Sequence, residues 1–358
     1  MLRLSDSIKM GFQKRQVTSA IFLDAEKAFD QTWHNGLKYK LFSLGLPSNI
    51  IGTLSSFLDG RRMFVFHGNC ESRVFSLGAG TPQGSVLSPL LYLIYVNDLP
   101  DDPLSPIQIN QFADDVALWG TSNSPTLNLK RLQETLQKIE AWCCLWRVKI
   151  NPTKSNLVHF NKIPSRKISD TDSVTLFGSI IPIVKVAKFL GINFDSRLDF
   201  KFHIDSLISR SRQPLHFLRK LCYGLQVPAS FGFQVYTSLI RSIWEYGSIT
   251  FLTASNSVLA KLERSNREAL RIILRAPRFT PSVQLYQASQ SGTIGTRLFL
   301  LNYKLAHKSI PPDPHLVKLA FKLVTTNPQN NFPSSLGFLF PGAELGDVLA
   351  GWQEEGGL

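Results

Sequence analysis

Three carboxylates stand where chemistry is easiest to build. Residues 111–118 read Gln-Phe-Ala-Asp-Asp-Val-Ala-Leu, with strand-forming runs at 107–109 before and 116–119 after, so Asp114 and Asp115 are expected in the tight turn of a β-hairpin. Two adjacent negative charges cost energy there. A divalent cation offsets that cost, because hard carboxylate oxygens are what Mg²⁺ takes, one or two per ion, with waters and substrate phosphates completing the octahedron. An Asp-Asp pair is also an ordinary turn dipeptide, since Asp bonds its own backbone and tolerates turn geometry. The third carboxylate, Asp24, ends the apolar run Ala-Ile-Phe-Leu at 20–23. A carboxylate at the tip of a buried strand projects past the packed core toward a ligand; capping of a following helix is the competing reading.

The elements that must position these groups follow from periodicity. Residues 3–13 form a short helix, 35–44 and 48–58 two more, separated by Gly45-Leu-Pro47 and closed by Gly60. Segments 62–66 and 74–77 suggest a hairpin. The loop Gly78-Ala-Gly-Thr-Pro-Gln-Gly-Ser85 can bring backbone N–H groups close to a ligand, because glycine puts no side chain in the way. It feeds a helix expected to be capped by Ser88, to start at Pro89 and to be buried on most sides. After the Asp-Asp hairpin, Ser124-Pro125 opens a helix whose Leu127, Leu129, Leu132, Leu136, Ile139 and Trp142 recur at near-helical spacing. Strand, helices, hairpin, helix, strand pair and helix make an α/β arrangement, helices packed on a small, largely antiparallel sheet.

Composition narrows the partners. The chain of 358 residues carries 39 Lys and Arg against 26 Asp and Glu, a formal +13 that suits a polyanion such as nucleic acid. Hydrophobic residues make up 44%, enough for two or three packed domains. Cys70, Cys143, Cys144 and Cys222 lack Cys-x-x-Cys spacing and His neighbours, so neither a zinc site nor a disulfide framework is read, and an intracellular, non-secreted protein is expected. Charged residues or glycine interrupt every apolar run, and no membrane segment is expected.

Charge concentrates late in the chain. Segment 201–280 holds 12 Lys or Arg against 4 Asp or Glu. On a helix over 257–275, Lys261, Arg264, Arg267, Arg271 and Arg275 share about a third of the circumference, a stripe about 21 Å long, with Leu259, Leu262, Ala269, Leu270 and Ile273 opposite. The stripe is read as a phosphate-tracking surface, with Glu263 and Glu268 flanking it.

Asp24, the loop Gly-Thr-Pro-Gln-Gly-Ser-Val-Leu-Ser-Pro (80–89) and Phe-Ala-Asp-Asp (112–115), in this order, resemble the reverse transcriptases of non-LTR, LINE-like or jockey-like, retrotransposons. The resemblance runs over about residues 3–280. Asn151-Pro-Thr-Lys154-Ser resembles the family's fourth palm motif and Phe189-Leu190-Gly191 its fifth, the primer grip. The resemblance implies an RNA-directed DNA polymerase with RNA template, DNA primer and dNTPs as partners, two Mg²⁺ ions (Mn²⁺ as a substitute) on Asp24 and Asp114, Asp115 as the less certain ligand, and no small-molecule cofactor. It implies that Phe29 lies under the incoming sugar and selects deoxynucleotides, that Gln83 and the Gly84 backbone hold the incoming nucleotide, and that Lys154 neutralises pyrophosphate. Action in the nucleus or the cytoplasm is implied in the same way.

The fold class so implied is α/β (α+β): a polymerase palm over 1–195, a helical thumb over 196–280, a weakly matching helical extension over 281–330 and an irregular tail over 331–358, where 341–358 holds four acidic and no basic residues. The fingers region is expected to be largely missing, because the chain begins almost on the first motif. That leaves a catalytically inactive remnant that binds RNA or RNA–DNA duplex as the alternative, with a maturase-like RNA-folding protein as a third reading.

Overall fold

The computed structural model describes residues 1–163 and 173–308. The chain divides into two compact units, Met1–Leu198 and Asp199–Leu358.

The first unit mixes helix and sheet. Its elements run α1 (Leu2–Gln13), β1 (Val17–Asp24), α2 (His34–Ser43), α3 (Ser48–Leu58), the two-residue strands β2 (Arg62–Met63), β3 (Phe66–His67), β4 (Cys70–Glu71) and β5 (Phe75–Ser76), then α4 (Leu87–Val96). There follow β6 (Ile107–Phe112), β7 (Asp115–Ser122), α5 (Pro125–Trp146), β8 (Asn156–Phe160), β9 (Thr175–Leu176), β10 (Ser179–Ile180), β11 (Val186–Phe189) and β12 (Ile192–Asp195). Four strands form one antiparallel sheet in the order β6-β7-β1-β8. Seven of the eight β1 residues are buried, as an inner strand covered on both faces must be.

Alternation along β1 sends Ile21 and Leu23 into a core shared with α2, α4 and α5, and Phe22 to the other face, against Phe189 and Phe194 of the β11–β12 hairpin. The entry to α5 is capped by Ser124, whose hydroxyl accepts from the Leu127 amide, with Pro125 next; Leu129, Leu132, Leu136, Ile139 and Trp142 are buried, whereas Leu127 is exposed.

Several expectations need correction. The segment 62–77 is not one plain hairpin: β2 pairs with β5 and β3 with β4, giving an interrupted, exposed ribbon. Ser88 does not cap α4 but lies inside it, its hydroxyl donating 2.5 Å to the Pro82 carbonyl, and the helix starts one residue earlier than Ser88. α4 buries one side only, through Ser88, Leu91, Tyr92, Tyr95 and Val96, and leaves Leu87, Leu90 and Leu93 exposed. An apolar sequence shows no stripe, so its period could not reveal which side faces out.

α2, α4 and α5 are pinned together by a buried cation. Lys40 donates to the Tyr95 carbonyl and, at 2.5 Å, to Asp98, with its ammonium 3.7 Å from the centre of the Trp146 ring. Burial lowers the pKa of Lys40, and the Asp98 carboxylate opposes that shift.

The second unit is helical in its described residues: α6 (Lys201–Arg219), α7 (Ala229–Val235), α8 (Ser242–Glu245), α9 (Ser248–Phe251), α10 (Asn256–Leu274), α11 (Ser282–Ser289) and α12 (Ile294–Lys308). Lys220–Gly224 and Tyr236–Arg241 are π-helical. α6 and α10 form the centre, burying Ile204, Leu207 and Leu218 with Leu262, Ala269, Leu270 and Ile273. Glu263, mostly buried, ties α10 to the two later helices: it accepts from the Tyr286 hydroxyl and, at 2.8 Å, from the Ile294 amide that begins α12. The part of the expected extension at 309–330, and the tail at 331–358, lie outside the described residues. Among those residues no helix is long and apolar enough to cross a membrane.

Gly80 and Gly84 share a φ of +86°, but their surroundings differ. A Cβ on Gly80 would stand 2.7 Å from the Asp30 carbonyl oxygen, which is backbone and cannot step aside; at Gly84 nothing lies within 4 Å. Gly80→Ala is therefore expected to lower stability by about 2–3 kcal/mol and Gly84→Ala by about 1 kcal/mol. Urea unfolding of both variants checks the difference; equal midpoints would refute it.

Candidate active site

The site is built at one end of the central sheet. Asp24, the last residue of β1, is paired directly across from Asp115, the first residue of β7. Asp115 pairs in turn with Phe112, which leaves Ala113 and Asp114 as the two residues of the turn. Asp115 is thus in the strand and not in the turn, and only Asp114 occupies the loop position. Ala113 takes φ +53°, the left-handed conformation that a two-residue hairpin demands at its first position and that glycine would adopt more easily. Alternation places Asp24 and Asp115 on the sheet face that also carries Phe22.

Three like charges in one place leave an electrostatic trace. The Asp115 carboxyl is raised above the ordinary carboxylate range, first by burial, then by the Asp114 charge and then by the Asp24 charge. Tyr92 of α4, almost fully buried, has its phenol raised by burial and then by the charge of Asp114. Its ring lies 4.9 Å from that of Phe29, so Phe29, Tyr92 and Asp114 occupy one neighbourhood. Tyr92 is the residue that sequence reasoning missed; the signal was a pair of polar aromatics, Tyr92 and Tyr95, in a largely apolar helix just after the glycine loop.

The backbone around Asp24 is clamped. Its amide donates 3.3 Å to the Ser155 hydroxyl and its carbonyl accepts at 2.9 Å from the Asn151 amide. Asn151 uses its side chain twice over: Oδ1 accepts from Thr153 and Lys154, and Nδ2 donates 2.7 Å to Glu26. The Asn-Pro-Thr-Lys-Ser segment is therefore a bracket for the tip of β1. Lys154 is exposed at its end, with no ion pair among the described residues.

The glycine loop is tied to the turn after β1. Gly80 and Thr81 amides donate to the Thr32 and Phe29 carbonyls at 2.8 Å each, and the Gly80 carbonyl is 2.8 Å from His34 Nε2 and accepts from Arg61 Nη1. Gln83, exposed, donates 2.7 Å to Asp30. Phe29, Gln83 and Gly84 are so brought to the same end of the unit as the carboxylates.

The remaining assignments divide. Leu190 and Gly191 form a two-residue turn between β11 and β12, both with positive φ (+46° and +78°), while Phe189 is buried, its ring 5.3 Å from Phe22. Phe189 supports the turn and presents no surface to a strand of nucleic acid. The basic stripe on α10 is not a free row of cations. Lys261 pairs with Asp205 at 2.5 Å, Arg267 donates to Ser282, Arg271 to the Thr280 carbonyl and Arg275, at the helix C-cap, to the Val227 carbonyl. Arg264, which is exposed, is the one of the five that bonds nothing beyond its own helix among the described residues. The stripe was legible as a helix face, but its bonding partners lie on other elements.

The first unit is a mixed helix-and-sheet fold with three carboxylates at one end of its sheet, and the family model for "Reverse transcriptase (RNA-dependent DNA polymerase)" matches residues 3–194. The chain belongs to the reverse transcriptase family. Within it, the chain is 32% identical over 297 residues to the probable RNA-directed DNA polymerase from transposon BS of Drosophila melanogaster, covering 80% of this chain and 32% of that protein. It is 36% identical over 201 residues to the RNA-directed DNA polymerase from mobile element jockey of Drosophila funebris, covering 54% of this chain and 21% of that one. The resemblance to non-LTR retrotransposon enzymes read from the motifs is thereby borne out. The chain spans about a third of the length of the BS protein or less of the jockey protein. Among solved structures, telomerase from Candida albicans with a fragment of telomeric RNA gives a TM-score of 0.39 at 12% identity, over 90% of this chain and 54% of that one, too low to bear on the fold.

Two outcomes follow. The raised Asp115 pKa means that the folded state binds its proton more tightly than the unfolded chain, so stability contributed by this group is lost as pH rises from the ordinary 3.8 through the folded value. Asp115→Asn should then unfold at a higher temperature than the parent at pH 7 in EDTA, and Mg²⁺ should raise the parent's Tm more than the variant's; a lower Tm for the variant in EDTA would contradict the like-charge account. For α10, Arg264→Ala should reduce the log–log salt slope of duplex binding by about one, the share of a single phosphate contact. A titration across salt concentrations measures it.

Proposed function

We propose that the chain catalyses RNA-directed DNA synthesis, adding dNTPs to a primer 3′-hydroxyl on an RNA template. One observation carries the reading: strand register sets Asp24 opposite Asp115 and the hairpin turn sets Asp114 beside them, at the end of the sheet where the glycine loop and Phe29 also lie.

The donor set fits divalent metal ions. All three residues are carboxylates, partly exposed, and their mutual repulsion favours a cation among them. Among the described residues no three His, Cys, Asp or Glu side chains are grouped to hold a metal by themselves. Mg²⁺ does not require such a group, since one or two carboxylates with waters and substrate phosphates suffice. Asp24 and Asp114 would hold two ions, with Asp115 adding negative potential; when bound, such ions activate the attacking hydroxyl and stabilise the leaving oxygen.

The protein's own residues do the positioning. Phe29, braced by Tyr92, offers an aromatic surface that leaves no room for a 2′-hydroxyl on the incoming sugar. Gln83, oriented by Asp30, and the open Gly84 backbone meet the nucleotide. Lys154 brings a positive charge to where pyrophosphate charge develops, the placement that lowers a barrier most. In this reading the first unit is the palm, the second the thumb, and the Leu190–Gly191 turn supports the primer end.

Primer extension on poly(rA)–oligo(dT) with dTTP and Mg²⁺ tests the proposal, comparing the chain with Asp114→Ala. Extension that falls by at least about 10³-fold in the variant is the expected result. No extension by the parent, with duplex binding intact in a gel shift, would assign the chain a binding role without turnover.

A further inference from the structure

The second unit contains a cavity of about 530 Å³ that the polymerase reading does not use. Its walls come from the end of α6 and the π-helical turn after it (Arg219, Tyr223), from the last turns of α10 (Glu268, Arg271, Ile272), and from Arg278 beyond that helix. A volume of this size lies within the range of small-molecule sites and exceeds what a bare inorganic anion fills.

The lining is chemically specific. Arg219 and Glu268 form an ion pair at 2.8 Å, which neutralises one guanidinium and leaves those of Arg271 and Arg278 without a carboxylate partner. Arg278 is exposed and engages no acceptor among the described residues. Arg271 gives one N–H to the Thr280 carbonyl, while its Nε–H is buried with no acceptor among the described residues. Two uncompensated positive charges match a phosphate monoester, which carries about −1.5 to −2 at neutral pH, better than a diester. The C-terminal carbonyls of the two helices oppose an anion by up to about half a charge each, which is why one guanidinium would not suffice. Tyr223, half exposed and carried by the π-helical turn, adds an aromatic side chain to the wall. Ile272 supplies an apolar floor.

We propose that this cavity binds a nucleoside carrying a terminal phosphate monoester, the phosphate held by Arg271 and Arg278 and the base stacked on Tyr223. Two sources share that chemistry: a free mononucleotide and the 5′-phosphorylated end of a nucleic-acid strand. The site lies wholly in the second unit and does not depend on the carboxylates of the first.

Equilibrium dialysis of the full chain against radiolabelled adenosine 5′-monophosphate, adenosine, and the oligonucleotide rA6 with either a 5′-phosphate or a 5′-hydroxyl tests it. One saturable site is expected for the monophosphate, with adenosine about tenfold weaker. Arg278→Ala should weaken monophosphate binding about tenfold and Tyr223→Ala about fivefold or more, with far-UV circular dichroism melts unchanged. Binding should persist in Asp114→Ala, which separates this site from the polymerase reading. A phosphorylated rA6 tighter than both its hydroxyl form and the mononucleotide identifies the strand end; a mononucleotide tighter than either oligonucleotide identifies the free nucleotide. Adenosine binding as well as its monophosphate, or both variants binding like the parent, would overturn the proposal.

Discussion

Mutual repulsion among Asp24, Asp114 and Asp115 is the constraint to which the first unit answers. Left to themselves, the strand ends would splay or the carboxylates would take up protons. Instead β1 is hydrogen-bonded on both sides, by β7 and by β8, and its last residue is clamped by Asn151 and Ser155. The hairpin is closed by the shortest turn a two-stranded ribbon permits, at the cost of a left-handed alanine. Rigidity around a repulsive centre stores a preference for cations that a flexible loop would dissipate by moving apart.

Much of that centre was legible because it is local. The apolar run before Asp24, the Asp-Asp pair between strand formers, and the Ser124-Pro125 helix start each announce themselves within a few residues. Register is not local, and only the sheet shows that Asp24 faces Asp115 or that Asp115 has left the turn. The same limit explains α4, whose uniform hydrophobicity concealed an exposed side, and Ser88, which looked like a cap because Pro89 follows it. Its hydroxyl turned instead to the Pro82 carbonyl inside the preceding loop. Tyr92 escaped notice because its proximity to Asp114 and Phe29 crosses long stretches of chain.

The second unit gives the opposite lesson. Helical spacing placed Lys261, Arg264, Arg267 and Arg271 on α10, while Arg275 falls just past it as a left-handed cap, and periodicity says nothing of what faces them. Asp205, Ser282, and the carbonyls of Thr280 and Val227 turn four of the five into ties to neighbouring helices and the connections between them. A guanidinium has five donors, so these ties restrain the side chains without exhausting them. Charge along this stripe is thus structural first, and the electrostatic footprint that α10 offers to a polyanion is narrower than its spacing suggests.

Phe22 sits two residues before Asp24 on the same sheet face, and its ring meets those of Phe189 and Phe194 at 5.3 and 6.3 Å between centroids. Those two rings belong to the hairpin whose tip is Leu190–Gly191. The packing of that hairpin against the strand that ends in Asp24 is therefore set by ring-on-ring contact, which can neither compress nor interpenetrate. The molecule carries a built-in gauge block: the hairpin is held at a fixed spacing from β1, and swapping one of the rings for a smaller side chain would reset that spacing without touching the carboxylates.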